Sequence, residues 1–271
     1  MNEKLNWLAH VRIVLVRTSH PGNVGQVARA MKNMGLTDLV ITSPRFSDMT
    51  AQADAIALAS GATDVLENAR IVPDLASALE GVNCAYAFSA RERDLAPPLF
   101  STTQAASEVM ALLEAAQTAG HALPTVAFVF GAERSGLTND EVMMCQRLCF
   151  IEANPVYTSL NLAQAVQVMT YTLRQFALHG AMGVLEKTDA PMLDAADLSS
   201  VEGMLAHWER MLIDLNMLNP DAPTEAMARV RALFARTQLS VNEVNFLRGV
   251  ASNAQRMAQK NANDGTMDTT S

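Results

Sequence analysis

Between residue 11 and about residue 179, short apolar runs alternate with segments of helical period, and this alternation leaves few folds open to the chain. The runs are Val11–Val16, Leu39–Thr42, Cys84–Phe88, Val126–Phe130 and Leu148–Ile151, each apolar at successive rather than alternating positions. Successive side chains of a strand point to opposite faces, so such runs are covered on both faces, as in a parallel sheet sandwiched between helices. Between them, Val24–Met34 carries Val24, Val27, Ala28 and Met31 at helical spacing and stops at Gly35, a C-terminal glycine. Asp74–Leu79, Ser101–Ala116 and the segment after Thr138, where Thr138 and Glu141 form a capping box, complete the β-α pattern. The fold class expected is α/β with a parallel sheet.

A long helix that starts near Ser159 fades at His179–Gly183, and the residues that follow, to Leu193, are acidic and include Pro191. Beyond them, Ala195–Leu218, Thr224–Ala235 and Ser240–Lys260 are helical in period, with no strand pattern. The expected organisation is an α/β domain over 1–180, a linker over 181–194, a small all-helical domain over 195–261 and a polar, aperiodic, disordered tail over 262–271. Charge is polarised. Residues 181–223 hold eight acidic side chains against Lys187 and Arg210, whereas 224–260 hold Arg229, Arg231, Arg236, Arg248, Arg256 and Lys260 against Glu225 and Glu243.

With 271 residues, 49% hydrophobic and 18% charged, the chain is globular rather than disordered or collagen-like. Its net charge of −8 argues against binding nucleic acid by bulk charge alone and leaves that task to local patches. The longest uncharged stretch, Ala153–Leu173, has the length of a membrane span, but Asn154, Pro155, Asn161, Gln164 and Gln167 would resist insertion. The run Val11–Val16 contains Arg12, is closed by Arg17 and lacks a cleavage pattern, so no signal peptide is read. Cys84, Cys145 and Cys149 have no CxxC spacing, and His10, His20, His121, His179 and His207 are scattered. A reducing, cytoplasmic setting without bound metal is expected.

Three segments place polar residues or glycines directly after an apolar run, at the sheet edge where open parallel sheets bind ligands. The first, Thr18–Arg29, leads into a helix; Asn23 is a candidate N-cap, and Gly22 and Gly25 are candidates for close backbone approach to a ligand. An ordinary strand-helix turn with a solvated Arg29 explains it equally well. It is neither a GxGxxG fingerprint nor a P-loop, which weakens dinucleotide and triphosphate readings. The second, Phe130–Thr138, encloses Glu133 and Arg134 between Gly131 and Gly136; Glu133 could hold a ribose hydroxyl, orient an arginine or form a loop ion pair. The third, Ile151–Ala165, is dense in polar atoms yet opens a helix with a small, uncharged face, and capping accounts for Thr158 or Ser159 but not the whole set.

In this order the segments resemble the three signature motifs of the SPOUT-class, SpoU-type RNA ribose methyltransferases. The resemblance rests on Asn23, Gly25 and Arg29 in the first, Gly131, Glu133, Gly136 and Leu137 in the second, and Ser159, Leu160, Asn161 and Ala165 in the third. The text around them, Arg12–Val16, Ala28–Lys32 and Ala153–Pro155 with Tyr157, is similar to the bacterial TrmJ type, which 2′-O-methylates the nucleotide at position 32 of the tRNA anticodon loop. The resemblance covers residues 10–179 and matches the helical tail only in size and character. It implies a parallel sheet whose C-terminal segment is threaded as a trefoil knot, an exception to the usual rule against knots. It also implies a homodimer that binds S-adenosylmethionine in the knot and requires no metal. The implied cofactor contacts are Phe88, Ser89, Ala90, Gly131, Glu133, Gly136, Ile151, Thr158, Ser159, Leu160 and Asn161. Phe88 departs from the family, which has a small hydroxyl residue before Ser-Ala.

The family assigns activation of the ribose hydroxyl to the residue matching Arg29. A guanidinium with a pKa above about 12 is a poor proton acceptor, so stabilising the alkoxide and clamping a phosphate is the favoured role. Ser159 and Asn161 would orient nucleotide or cofactor, and Tyr157 would either stack near the target or pack at an interface. Candidate RNA contacts are Arg17, Asn23, Arg29, Lys32, Arg91, Arg93 and the basic tail helices, with the tail of one subunit beside the site of the other. The rival readings are methylation of ribosomal RNA or another tRNA position, and a non-catalytic RNA-binding module of the same fold.

Overall fold

The computed structural model describes residues 3–89, 97–180, 194–219 and 225–265. Seven strands are found there, β1 (Val11–Val16), β2 (Asp38–Thr42), β3 (Arg70–Val72), β4 (Cys84–Phe88), β5 (Leu99–Ser101), β6 (Val126–Phe130) and β7 (Arg147–Phe150). They form one parallel sheet in the order β3-β2-β1-β6-β4-β7-β5. The helices up to the boundary are α1 (Pro21–Met34), α2 (Ala53–Ala59), α3 (Thr63–Glu67), α4 (Leu75–Ala78), α5 (Thr102–Thr118), α6 (Asn139–Met143) and α7 (Leu162–His179). Beyond it lie α8 (Leu198–Asp214), α9 (Glu225–Ala235) and α10 (Val241–Gly265).

The double-sided apolar runs divide between two cores, as alternation along a strand requires. Ile13, Leu15, Leu39, Ile41, Tyr86 and Phe128 pack on one face with α1, α5 and α7 through Met31, Leu113 and Met169. Val14, Val16, Val40, Ala85, Ala87, Ala127 and Val129 pack on the other with Leu75, Leu79, Val142 and Leu198. The second face is lined by smaller residues, and short helices α4 and α6 together with the start of α8 cover it. Two strands, β3 and β5, have no counterpart among the apolar runs. Each has three residues, and Ile71 and Leu99 are exposed at 40% and 54%, because an edge strand need not be apolar on both faces.

The caps explain several helix boundaries. Gly35 closes α1 with φ +88° and bonds back to Lys32, while the Leu36 amide donates to the Met31 carbonyl. Thr138 and Glu141 form their capping box on α6, and Ser101 with Gln104 does the same on α5. Helix α10 runs to Gly265, so helix occupies 262–265, where lack of periodicity predicts a disordered tail; 266–271 lie outside the described residues.

The C-terminal helices have their own small core of Ala196, Met204, Leu205 and Val244, joined by Trp208, Phe234 and Leu247. Trp208 Nε1 donates to the Leu247 carbonyl at 3.1 Å, and Arg231 reaches both oxygens of Glu202 at 2.6 Å. This unit docks through Leu198, whose amide donates to the Val82 carbonyl at 3.1 Å and whose side chain enters the second core. Of the expected linker, 181–193 lie outside the described residues. Among the described residues, no helix is long and apolar enough to cross a membrane.

Candidate active site

The C-terminal ends of β4, β6 and β7 open onto a cleft of about 190 Å3. Phe88 and Ser89 enter it from the end of β4, Phe130 to Leu137 from the loop after β6, and Ile151, Thr158, Ser159 and Leu160 from the segment after β7; Leu162 and Ala165 close it from α7. Of the cofactor contacts implied by resemblance, Phe88, Ser89, Gly131, Glu133, Gly136, Ile151, Thr158, Ser159 and Leu160 all line this one cleft. Asn161 stands beside it, and Ala90, with the RNA candidates Arg91 and Arg93, lies outside the described residues. Phe130, Ala132, Arg134, Ser135 and Leu162 line it too; their only signal in the sequence is adjacency to the motif residues. Phe88 has a packing reason, since its ring stacks on Phe130 at 4.3 Å.

The loop after β6 is folded back on itself. The Gly136 amide donates to the Ala132 carbonyl at 2.8 Å, and Gly136 sits at φ +67°. A Cβ on Gly131 would lie 2.2 Å from the Gly136 carbonyl carbon and 2.3 Å from the Leu137 nitrogen, so only glycine permits this closure.

In place of a loop ion pair, Glu133 takes hydrogen bonds from the loop after β1 and the start of α1. Its carboxylate accepts from Thr18 Oγ1 at 3.0 Å, Ser19 N at 3.1 Å, Ser19 Oγ at 3.0 Å, His20 N at 3.3 Å and Asn23 Nδ2 at 3.1 Å. Burial works to raise its pKa, but the hydrogen bonds from Asn23, Ser19 and Thr18 outweigh it and hold the carboxyl at about 2. Asn23 in turn accepts from Asn161 Nδ2 at 2.9 Å, so one residue from each motif forms a continuous line, Glu133–Asn23–Asn161. Chemical type is the only trace of this line in the sequence, because Glu133 and Asn23 stand 110 positions apart.

Other assignments change. The N-cap of α1 is His20, with Pro21 first in the helix, so Asn23 is not the cap. Neither Thr158 nor Ser159 caps α7; Asn161 does, accepting from Ala163 N at 2.8 Å with Gln164 completing a capping box. Gly22 and Gly25 face α2 rather than a ligand: a Cβ on Gly25 would come within 2.1 Å of the Ala55 carbonyl oxygen, and one on Gly22 within 2.8 Å of Leu58 Cδ1. Arg17 donates to the Gly136 carbonyl at 3.1 Å and pairs with Glu141, and so braces the loop after β6. Lys32 is engaged with Asp64 at 2.7 Å and with the Gly61 carbonyl. Arg29 is exposed on the third turn of α1 and makes no hydrogen bond or ion pair among the described residues. Tyr157, 77% exposed, stands on the loop before α7.

The site thus has a folded cleft with a polar line beside it, and neither Arg29 nor Tyr157 lines that cleft. Thiol chemistry has no place in it: all three cysteines are free and buried, and burial pushes the Cys84 thiol up to about 12. Among the described residues, no cluster of three or more His, Cys, Asp or Glu side chains could hold a metal.

The pattern of the SpoU rRNA Methylase family matches residues 10–171, and that of the tRNA methyltransferase TrmJ C-terminal domain matches 199–263. The tRNA (cytidine/uridine/adenosine-2'-O-)-methyltransferase TrmJ of Pseudomonas aeruginosa is 41% identical over 257 residues, covering 93% of this chain and 96% of that protein. The tRNA (cytidine/uridine-2'-O-)-methyltransferase TrmJ of Salmonella typhimurium is 41% identical over 253 residues, covering 92% and 98%. The crystal structure of TrmJ from Z. mobilis superposes with a TM-score of 0.72 at 31% identity, covering 89% of this chain and 97% of that one. With a family pattern spanning its α/β domain, a second spanning its helical tail and relatives aligned over nearly its whole length, the chain belongs to the SpoU methylase family, in its TrmJ branch.

Proposed function

We propose that this protein methylates the ribose 2′-hydroxyl of cytidine or uridine in tRNA with S-adenosylmethionine, at position 32 of the anticodon loop. The observation that carries the reading is the line Glu133–Asn23–Asn161, which ties the three motifs together beside the cleft and leaves Arg29 uncommitted on the helix it anchors. Relatives named for this reaction on tRNA support the choice of substrate. The family's description names ribosomal RNA, which favours that target as a second reading; the TrmJ-type tail favours tRNA.

The cleft suits the cofactor. Phe88, Ile151, Leu160 and Leu162 offer apolar surface to a nucleobase, and the cradle at Gly131 brings backbone close where a Cβ would intrude. Phe88, Ser89, Gly131, Gly136, Ile151, Thr158, Ser159 and Leu160 would hold it. When bound, S-adenosylmethionine supplies a methyl group already activated on a sulfonium. The protein's task is then alignment and charge. Arg29 stabilises the developing alkoxide and holds a neighbouring phosphate, a role that suits a permanently charged guanidinium. Ser159 and Asn161 orient the nucleotide, and Tyr157 stacks on a base or packs against a second subunit. The working form is a cytoplasmic homodimer with the chain after β7 threaded as a trefoil knot, and the tail of one subunit serves the site of the other.

The test is transfer of labelled methyl from S-adenosylmethionine to unmodified tRNA transcripts, with the modified nucleotide mapped. Label at the 2′-oxygen of position 32, reduced about 10²–10³-fold in Arg29→Ala, is expected from loss of one alkoxide-stabilising group. Cofactor binding with no transfer to any tRNA, or transfer only to ribosomal RNA, overturns it.

A further inference from the structure

We infer that Arg45 and Phe46 form a stacking platform for an unpaired nucleobase of the RNA substrate, beside the loop after β1 on the side away from the cofactor cleft. The inference rests on the RNA methyltransferase reading above. The two residues follow β2, which neighbours β1 on the side opposite β6. The loops after β1 and β2 are stitched together past the last paired residues: the Arg17 amide donates to the Thr42 carbonyl at 2.9 Å, and the Arg45 amide donates to the Thr18 carbonyl at 3.0 Å. Thr18 also donates to Glu133, so Arg45 is two hydrogen bonds away from the residue that anchors the helix of Arg29. The platform is therefore fixed to the loop after β1.

Its chemistry is that of single-stranded RNA recognition. The Phe46 ring is 38% exposed, and the Arg45 guanidinium lies over it, 5.2 Å from the ring centroid, with no hydrogen bond or ion pair among the described residues. A base stacks on an aromatic ring or a guanidinium plane, and the arginine adds an attraction for the adjoining phosphate. The loop's own packing does not need Phe46, because Met49, fully buried, pins the segment to the core and its amide bonds the Phe46 carbonyl at 3.2 Å. The loop bonded to Arg45 runs directly into the helix that carries Arg29, and bases of an anticodon loop are free to splay out onto such a platform.

The test measures tRNA affinity and S-adenosylmethionine affinity separately for the full chain and for Phe46→Ala, Phe46→Trp, Arg45→Ala and Arg45→Lys. Phe46→Ala is expected to weaken tRNA binding by about tenfold, the loss of one base-aromatic stack, with cofactor affinity unchanged, and Phe46→Trp to restore it. Arg45→Ala lowers the slope of log affinity against log salt by about one, and Arg45→Lys keeps that slope. tRNA affinity unchanged in Phe46→Ala overturns the platform, and so does an equal loss of cofactor affinity, which would mark Phe46 as a packing residue. The function itself is read by methyl transfer from the unsubstituted chain, so its failure shows there, whereas failure of the platform alone shows as normal transfer with indifferent Phe46 variants.

Discussion

Glu133 supplies from a distance what α1 lacks at its own start. The N-cap His20 makes no side-chain cap, Pro21 has no amide hydrogen, and the first turn holds no acidic residue. The carboxylate of Glu133 fills that place, bonded to the amides of Ser19 and His20 at the positive end of the helix. Its pKa is depressed from 4.5 to about 2, so its stabilisation is fully present above about pH 4.5 and is lost as pH falls toward 2. Glu133→Gln should therefore cost about 1 kcal/mol at neutral pH, a figure kept small by solvent screening. Thermal melts of both proteins from pH 7 to pH 3 check this, because the gap should narrow with acid; a gap that stays constant with pH would show that the charge is irrelevant. Gly131 gives a second case. Gly131→Ala places a Cβ against the Gly136 and Leu137 backbone and should cost about 1–3 kcal/mol, with loss of cofactor affinity, measured by denaturant unfolding and calorimetry. Glu133 and Gly131 are recognisable as special in the sequence, yet what each touches is not, since hydrogen bonds across 110 positions leave no local trace.

The elements are legible in proportion to their burial. The five apolar runs coincide with β1, β2, β4, β6 and β7 because both faces of each are covered, whereas β3 and β5 are short edge strands stabilised by pairing to one neighbour. The start of α1 is displaced from its sequence signal because its capping acceptor comes from another element. The contact of α1 with α2 is equally hidden: Gly25 looks like a ligand-approach glycine in sequence, but a side chain there would strike the backbone of Ala55 and Ala59. Arg17, by type and place an RNA contact, spans from the end of β1 to Gly136 and to Glu141 at the start of α6, with its backbone at φ +52°. Its brace holds a wall of the cleft. Arg17→Ala should raise the KM for S-adenosylmethionine several-fold, about 1 kcal/mol for a charge-assisted bond lost at a partly exposed site, and leave tRNA affinity unchanged. Steady-state kinetics with each substrate varied in turn decide between brace and RNA contact, since an RNA contact would show the reverse split.

Across the molecule, the cleft and the helical tail occupy opposite ends of the strands of one sheet. The cleft follows the C-terminal ends of β4, β6 and β7, whereas the tail meets the chain at Val82 and Asn83, just before β4, and at Gln146, just before β7. A chain's own tail is thus set away from its own cleft, as the proposed service of the tail to the site of a second subunit requires. The joint is small. Among the described residues, Leu198 is the tail residue that enters the core of the α/β domain, while Trp208, Phe234 and Val244 stay within the tail's own core. Leu198→Ala should remove about 2–5 kcal/mol from whatever unit that side chain holds together. Because the tail has a separate core, the loss should fall on docking: amide exchange in α8 to α10 should quicken while β1 and β6, at the centre of the sheet, keep their protection. S-adenosylmethionine affinity should be retained, since Leu198 does not line the cleft, and tRNA affinity should fall if the tail must be held in place to reach RNA. Hydrogen exchange with both binding measurements reads all three. Protection lost equally from the sheet would merge the tail and the α/β domain into a single cooperative unit, with Leu198 in its common core.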